Sequence, residues 1–382
     1  MNRSLSSQVH RSLTEVNADI WNAQLGHHDP FLNWSFLAGL EKSGCTTQKS
    51  GWQPAHISLL RDNTSLATLP AYLKSHSYGE YVFDWSWADA WQRMGLAYYP
   101  KLVTAIPFTP ATGSRIWCNE ELGISLETVT HAVQSICDSL SLSSWHVLFL
   151  EEAQSTELAK HGMPQRLTTQ FHWFNHNYRD FHDFLDQFSS RKRKNLRRER
   201  DHIQRQGLEL RTLRGNQISA SDWDFFYRCY QTTYAKRSGH GGYLKESFFT
   251  ETCPTLGDTP VMVIAYREDH PVAAALFFQG KNTLYGRYWG CISEFDYLHF
   301  EACYYQGIEY CIEQGLSRFD PGAQGEHKIQ RGFEPVLTFS NHWIADDRLR
   351  TAVASFANQE CEHVRAYQRE AKTLLPFKQD TH

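Results

Sequence analysis

The chain has 382 residues, of which 41% are hydrophobic, and a formal net charge of -4. That length exceeds what one hydrophobic core normally serves, so two domains are expected. The near balance of charge excludes a disordered polyelectrolyte and a globally basic nucleic-acid coat, so any basic surface must be local.

Nine cysteines occur without a C-x-x-C pair. This argues against a zinc ribbon and against a secreted disulfide framework, and it points to reduced, mostly buried thiols in a cytoplasmic protein. The opening residues, MNRSLSSQVHRSLTEVNADIW, contain no apolar signal region. No stretch approaches the roughly 18 apolar residues of a membrane span. Twelve tryptophans also make an aromatic-lined groove an expectation.

Residues 29–43 read as a helix opened by Asp29 with Pro30 at its first position. HISLLRD, a turn at Asp62-Asn63 and SLATLPAYLKS read as strand, turn and strand. YGEYVFDW is expected to extend as a third run, WADAWQRMGLAYY as a short helix and PKLVTAIPFTP as a strand. A helix over 125–141 and the buried strand WHVLFL complete the first half. The second half opens with one or two helices ended by Gly207. LELRTL follows as a strand, then a helix capped by Ser219 or Ser221 and a shorter helix at KESFFTETC. VMVIAYRED, HPVAAALFFQG and TLYGRYWG form a three-strand meander. A helix stopping at Gly315, the strands LSRFD and VLTFSNHWI, and an amphipathic helix over 346–372 close the chain.

The halves echo one another. Each has a hairpin with an acidic turn, and each has a Tyr-Gly-x-Tyr segment, at Tyr78–Tyr81 and Tyr285–Tyr288. Such similarity suggests a duplicated unit. The order of helix, mixed meander, helix and returning strand resembles the acyl-CoA N-acyltransferase (GNAT) topology. The expected fold is therefore α/β, with two tandem GNAT-like domains, mixed central sheets and a C-terminal helix. The expected boundaries are 1–168, 169–345 and a helix and tail at 346–382.

Five segments carry candidate chemistry. Seven of the ten residues 191–200 are cationic. Arg191, Lys192, Arg193, Lys194, Asn195 and Arg197 are read as a phosphate-binding face, because close like charges repel unless an anion sits there. The loop Asp320–Phe333 follows a strand, and its Gly322 and Gly325 allow close backbone approach to a ligand. There Glu326 and His327 are candidate proton acceptors, while Gln324, Lys328 and Arg331 are candidates to hold phosphate or an oxyanion. Glu301, at the start of a helix, is a third catalytic candidate. Tyr285, Arg287 and Trp289 share one face of a central strand, as substrate contacts. In the first half, Lys74, His76, Tyr78, Asp84, Trp85 and Trp87 are candidates for an acceptor groove. The histidines show no metal-ligand spacing, so no metal site is expected. P-loop, G-x-S-x-G and Rossmann fingerprints are absent.

Three stretches, RKRKNLRRERDHIQRQGLELR, HPVAAALFFQGKNTLYGRYWG and LHFEACYYQGIEYCIEQGLSRFDPGAQGEHKIQRGF, resemble the FemAB-like branch of the GNAT superfamily. Asp320, Gly322, Gly325, Lys328, Gly332 and Phe333 are the matching positions. The first half, through KSHSYGEYVFDW and PKLVTAIPFTP, is similar to the other domain of that group. The resemblance implies transfer of an acyl or aminoacyl group to an amine. Well-studied Fem enzymes take aminoacyl-tRNA as donor and a peptidoglycan precursor as acceptor. A long coiled-coil arm is absent here. WGCISEFDYLHF also stands where a Gln/Arg-x-x-Gly-x-Gly/Ala pyrophosphate loop would precede the helix at 298.

The expectation is an N-acyltransferase with no tightly bound cofactor. Acyl-CoA or aminoacyl-tRNA would be the donor co-substrate, and a small molecule or cell-wall precursor the acceptor. tRNA is among the candidate partners, and DNA is not. The alternatives are a small-molecule acyl-CoA transferase and a non-catalytic RNA- or nucleotide-binding protein.

Overall fold

The computed structural model describes residues 5–27, 29–239, 241–323 and 325–378. Its strands are β1 (Ser6–His10), β2 (Trp52–Pro54), β3 (His56–Arg61), β4 (Thr64–Leu69), β5 (Tyr72–Lys74), β6 (Lys101–Thr104), β7 (Trp117–Cys118), β8 (Ser144–Leu150), β9 (Gln165–Phe174), β10 (Leu208–Arg214), β11 (Pro260–Arg267), β12 (His270–Gln279), β13 (Thr283–Cys291), β14 (Arg318–Asp320) and β15 (Glu334–Ile344). The helices are α1 (Ala18–Trp21), α2 (Trp34–Lys42), α3 (Trp85–Arg93), α4 (Leu126–Ser139), α5 (Glu152–Lys160), α6 (Phe181–Asp186), α7 (Ser190–Arg205), α8 (Ala220–Ser238), α9 (Leu298–Phe300), α10 (Gln306–Glu313) and α11 (Asp347–Thr373).

The chain divides into two compact units, Met1–Thr169 with Leu337–Tyr367, and Gln170–Val336 with Gln368–His382. The divisions fall inside β9 and β15. The sequence suggested that the second domain runs to residue 345, but β15 from Leu337 and most of α11 belong with the first unit. The reason is burial. Phe339 and Trp343 enter the core of the first unit beside Trp145 and Val147. Ile344, Leu349 and Val353 close over Trp87 and Trp91.

The first unit has an antiparallel sheet ordered β1-β3-β4-β7. A second run is ordered β2-β5-β6-β8-β15, with β6 and β8 parallel. All seven residues of β8 are buried, as a strand covered on both faces requires. Val129 and Val133 of α4 pack against this core.

The second unit has one sheet ordered β10-β11-β12-β13-β14-β9, antiparallel except for β13 and β14. The two acidic hairpin turns adopt the same conformation. Asp62 and Asn63 between β3 and β4, and Glu268 and Asp269 between β11 and β12, all have positive φ, as a two-residue type I′ turn needs.

Other expectations shift. Tyr285–Tyr288 lies on β13, but Tyr78–Tyr81 is a turn, with Gly79 and Tyr81 at positive φ. YGEYVFDW is therefore not a strand, and that part of the echo between the halves is lost. The first predicted helix starts later, at Trp34, because Asn33 rather than Asp29 caps it, accepting from Ser35 N. The helix before Gly315 contains a π-helical turn, Glu301–Tyr305, between α9 and α10.

Helix α8 lies directly on β13. A Cβ added at Gly290 would stand 2.1 Å from the Cys229 carbonyl oxygen, so only glycine permits this approach. Gly290→Ala must push α8 outward, at a cost of about 1–3 kcal/mol or more. Thermal unfolding should show a clearly lower Tm; an unchanged melt would mean that α8 does not sit on β13.

Candidate active site

The chemistry-bearing residues of the second unit gather where β13 and β14 part. The two strands pair over only three positions, Thr283 with Arg318, Leu284 with Phe319 and Tyr285 with Asp320. Beyond Tyr285, β13 continues to Cys291 paired with β12 alone, while the chain leaves β14 through Pro321 and Gly322. Gly322 adopts φ 94°, a conformation open to glycine at little cost. The wedge between the strands holds a cavity of about 120 Å³, lined by Gly286, Arg287, Tyr288, Trp289, His299, Cys303, Tyr304 and Pro321, with Ala275, Leu276 and Phe277 from β12.

A buried ion pair closes the narrow end. Arg287 Nη2 lies 3.0 Å from Asp320 Oδ2, with both side chains almost fully buried. Gly322 N donates to Asp320 Oδ1 at 2.8 Å, and His172 Nε2 lies 3.7 Å from the same oxygen. Burial alone would raise the Asp320 carboxyl, but Arg287, His172 and the Gly322 N–H outweigh it and hold it well below the usual carboxylate range. Burial lowers His172 to about 4, with Asp320 opposing.

Lys328 completes this corner. Its Nζ donates to Gly322 O at 2.7 Å. Burial lowers its pKa to about 8, with Asp320 opposing and Arg287 adding to the shift. His327 Nε2 lies 2.9 Å from the Tyr304 hydroxyl. Burial lowers His327, and Arg331 and Lys328 add to the shift, so the ring is neutral at pH 7. Burial also raises the Tyr304 phenol above its ordinary value. Gly325 adopts φ 112°, and a Cβ there would strike the His327 ring at 2.4 Å.

Among the sequence candidates, Tyr285, Arg287, Trp289, Gly322, Gly325, His327 and Lys328 lie at this wedge or the turn beside it. Glu326 is exposed in the first turn of the 3-10 helix Glu326–Arg331. Gln324 lies outside the described residues. Glu301 turns to the other side of its helix, where Arg200 Nη2 and Nε hold it at 2.8 and 3.1 Å. A carboxylate engaged in that way is not poised as a base, so the expected catalytic role of Glu301 is not supported. Arg331 is also engaged. Its Nη2 lies 3.0 Å from both Glu199 oxygens, and its guanidinium stacks 3.5 Å over Phe300. It fastens the 3-10 helix to α7 rather than facing open space.

The basic helix α7 is two-sided. Lys192 bonds Gln330, Glu199 meets Arg331, and Arg200 is shared between Glu301 and Glu309. Arg193 pairs with Asp186 at 2.9 Å. Asn195 accepts weakly from Arg198 at 3.5 Å. Arg191, Lys194, Arg198 and Arg205 are exposed, and their spacing of three, four and seven places them in one stripe. The stripe is about 21 Å long. Arg197 is exposed beside it. The phosphate-binding expectation thus keeps Arg191, Lys194 and Arg197 and loses Lys192 and Arg193 to internal contacts.

The predicted acceptor groove of the first unit does not form as one surface. Lys74 is fully buried, 3.8 Å over the Trp52 ring, and burial lowers its pKa to about 7 against the pull of Glu80. Lys101 bonds Glu80 at 2.8 Å, Ser77 at 2.9 Å and Asp84. Lys74 and Asp84 thus belong to an internal ion cluster. Trp87 is core, packed on His342. His76 is tied to the Ser50 carbonyl at 3.0 Å. Tyr78 and Trp85 alone present exposed rings, 5.1 Å apart.

His299, Cys303 and Tyr304 were not picked out from sequence, although a helical wheel places 299 and 303 together. His299 packs against Trp289 at 5.5 Å, and burial lowers it to about 3. Burial raises the Cys303 thiol far above its usual range, so Cys303 lines the cavity as a neutral group.

A buried histidine pair in the first unit feels the Lys101 charge of the ion cluster. His146 Nδ1 and His342 Nδ1 share a 2.6 Å hydrogen bond inside the first unit. Burial pushes both rings well below 6.5, with Lys101 adding for His146 and His146 adding for His342. The folded state keeps both neutral, whereas the unfolded chain protonates them below about 6.5. Their contribution to stability is therefore complete above that pH and falls as pH drops through it, by up to about 1.4 kcal/mol per pH unit for each ring. Denaturant titrations should show a drop between pH 7.5 and 5.5 that is smaller in His342→Gln; equal drops in both proteins would refute the assignment.

The sequence profile of the FemAB-like family, described as peptidoglycan biosynthesis/recognition, matches residues 12–379. No curated protein matches the sequence. Among solved structures, FemX is similar over 91% of this chain and 100% of its own, at 12% identity and a TM-score of 0.53. A conserved protein of unknown function from Bacteroides thetaiotaomicron VPI-5482 is similar over 88% of this chain and 99% of its own, at 10% identity and a TM-score of 0.52. The C-terminal domain of a putative lysylphosphatidylglycerol synthetase from Agrobacterium fabrum is similar over 91% and 96%, at 9% identity and a TM-score of 0.50. At such identities the likeness concerns the fold, and the fold is the α/β pair of GNAT-like domains expected from the sequence. Among the described residues no helix is long and apolar enough to cross a membrane. With the family profile running through nearly its whole length, the chain belongs to the FemAB-like family.

Proposed function

We propose that this chain is an N-acyltransferase that moves an acyl or aminoacyl group from an activated donor to an amine, at the wedge between β13 and β14. The observation that carries this reading is the small cavity where the strands part, with the His327–Tyr304 pair on one side and Lys328 at the turn beside it. The amine nitrogen attacks the donor carbonyl carbon, a C–N bond forms, and the bond to the donor's sulfur or oxygen breaks. The amine proton passes to the neutral His327–Tyr304 pair and on to the leaving group. Negative charge that develops on the carbonyl oxygen faces the Lys328 ammonium.

The donor is acyl-CoA or aminoacyl-tRNA, both of which carry phosphates. The exposed stripe of Arg191, Lys194 and Arg198 supports a phosphate-bearing donor. The family description and the fold shared with FemX support a cell-wall precursor as acceptor. The chain then acts in the cytoplasm, where such donors are made. Incubation with a panel of acyl-CoAs and aminoacyl-tRNAs and amine-bearing precursors, with products read by mass spectrometry, tests the reading. Product only from acyl-CoA and a free small amine would favour the small-molecule transferase. The same cation stripe supports a second reading, a non-catalytic RNA- or nucleotide-binding protein. No product with any donor, together with RNA binding that falls steeply with salt, would favour it.

Lys328 gives the sharpest test. If the ammonium form acts, kcat falls as pH rises through about 8. Lys328→Met should lower kcat about 100- to 1,000-fold. Lys328→Arg, which keeps its charge, should lose the alkaline fall. An alkaline limb that survives in Lys328→Arg removes this role. Arg331→Ala acts differently: it strips Glu199 and the 3-10 helix of their tie, so a loss of stability should accompany any loss of rate.

A further inference from the structure

The second unit carries a larger cavity that the transfer site does not use. It measures about 620 Å³ and lies among α6, α7, the start of β10 and α10. Its polar core is a shared guanidinium. Arg200 donates to Glu301 at 2.8 and 3.1 Å and to Glu309 at 2.6 and 2.8 Å. Gln306 Nε2 donates to the same two carboxylates, at 2.9 and 3.2 Å. The π-helical turn Glu301–Tyr305 makes this convergence: it brings residues five apart into register, where an unbroken α-helix would turn them away. The opposite face of that turn presents Cys303 and Tyr304 to the wedge. The two cavities therefore lie on opposite faces of one helix.

The lining decides the chemistry of the occupant. Six carboxylates face three arginines; Glu209 is already paired with Arg211 at 2.7 Å, and Arg197 is the exposed residue beside the cation stripe of α7, so the lining stays acidic by the remaining carboxylates. Four of the five N–H donors of Arg200 go to its two carboxylates, whose joint charge outweighs its own, and its guanidinium lies 4.5 Å over the Phe181 ring. Arg179 is drawn to Asp183 at 3.3 Å. Asp201 and Glu313 line the rim, and the described residues give them no ion-pair partner. Between the acids run the apolar side chains of Phe181, Leu208 and Ile312. A groove with excess negative charge at separated points and an apolar floor between them fits a chain of methylenes bearing two or more ammonium groups.

We propose that this cavity is a binding site for a linear polyamine-type cation, separate from the transfer site and not the route of the amine acceptor. The ammonium groups meet Glu309, Glu313 and Asp201, and the methylenes lie on the apolar floor. The site does not depend on the proposed transferase reaction, because binding is read without any donor.

Isothermal titration with spermidine on the full chain tests it, with butylamine and inorganic phosphate as comparison probes. Spermidine should bind at low ionic strength more tightly than butylamine, and phosphate should not compete. Asp201→Asn and Glu313→Gln change exposed side chains and should leave the fold intact. Each should weaken spermidine about twofold to fivefold, and the pair about tenfold. Glu120→Gln with Glu121→Gln, acids of the first unit, should change nothing. Hydrogen exchange should slow in residues 204–210 and in α10 when spermidine is added. Absence of binding, equal weakening by the Glu120/Glu121 pair, or full binding in the Asp201/Glu313 double variant each overturns the proposal.

Discussion

Everything at the wedge is hung from the Arg287–Asp320 ion pair. Asp320 is the last residue of the three-position parallel pairing, and Arg287, after Gly286, is the first side chain of β13 beyond it. The pair spans the point where backbone hydrogen bonds stop. Neither charge reaches water, so removing one partner strands the other, at a cost of about 3–5 kcal/mol. The Asp320 carboxylate also fixes Gly322 N, and Gly322 O in turn holds Lys328. Burial of the Lys328 ammonium, with the Arg287 charge adding, outweighs the opposing pull of Asp320 and brings it close to losing its proton. That accounts for a Lys328 pKa only slightly above neutrality.

The helix α7 shows why a dense charge run need not be one surface. A 16-residue helix has room for an inward and an outward row. Its inward row, Lys192, Glu199 and Arg200, is held by Gln330, Arg331, Glu301 and Glu309. Its outward row, Arg191, Lys194, Arg198 and Arg205, keeps its charge in solvent. The far end of the chain strengthens this placement: Pro376 O accepts from Ser189 N at 3.0 Å, and Phe377 packs on Phe188 at 5.2 Å. The start of the basic helix is therefore fixed from outside, so that the outward row is presented on a rigid support.

Much of this was legible from residue patterns. Buried strands read as apolar runs, hairpins as acidic two-residue turns, and helix ends as Gly207 and Gly315. The Gly322–Gly332 loop stood out because turn glycines and ionisable groups coincide there. What was hidden depends on partners distant in sequence. Nothing near Glu301 reveals that Arg200, about a hundred positions earlier, will occupy it. The π-helical turn leaves no mark in a helical pattern of ordinary length. Lys74 and Asp84 read as surface polar groups because Lys101, which buries with them, sits in a stretch that reads only as a strand. Strand β15 carries the apolar content of a second-unit strand, yet its side chains from Leu337 onward fill the first unit.

The first unit offers an internal control for the location of the chemistry. It too has a parallel pair at its centre, β6 and β8, joined over Leu102–Thr104 and Trp145–Val147. There the strands do not stay apart. A second parallel bridge joins Gly113 to Leu150. Arg115, fully buried, stitches the intervening segment by donating to Leu148 O at 3.0 Å and to the Ala111 carbonyl. The corresponding pair in the second unit meets once, turns away at a glycine, and leaves a lined cavity with a lysine at its corner. In the first unit the segment after β6 is tied to β8 by Arg115, whereas in the second the Arg287–Asp320 pair ties only the narrow end of the wedge and the strands diverge beyond it. The cavity beside β13 is where the transfer proposed above has room for a reacting carbonyl.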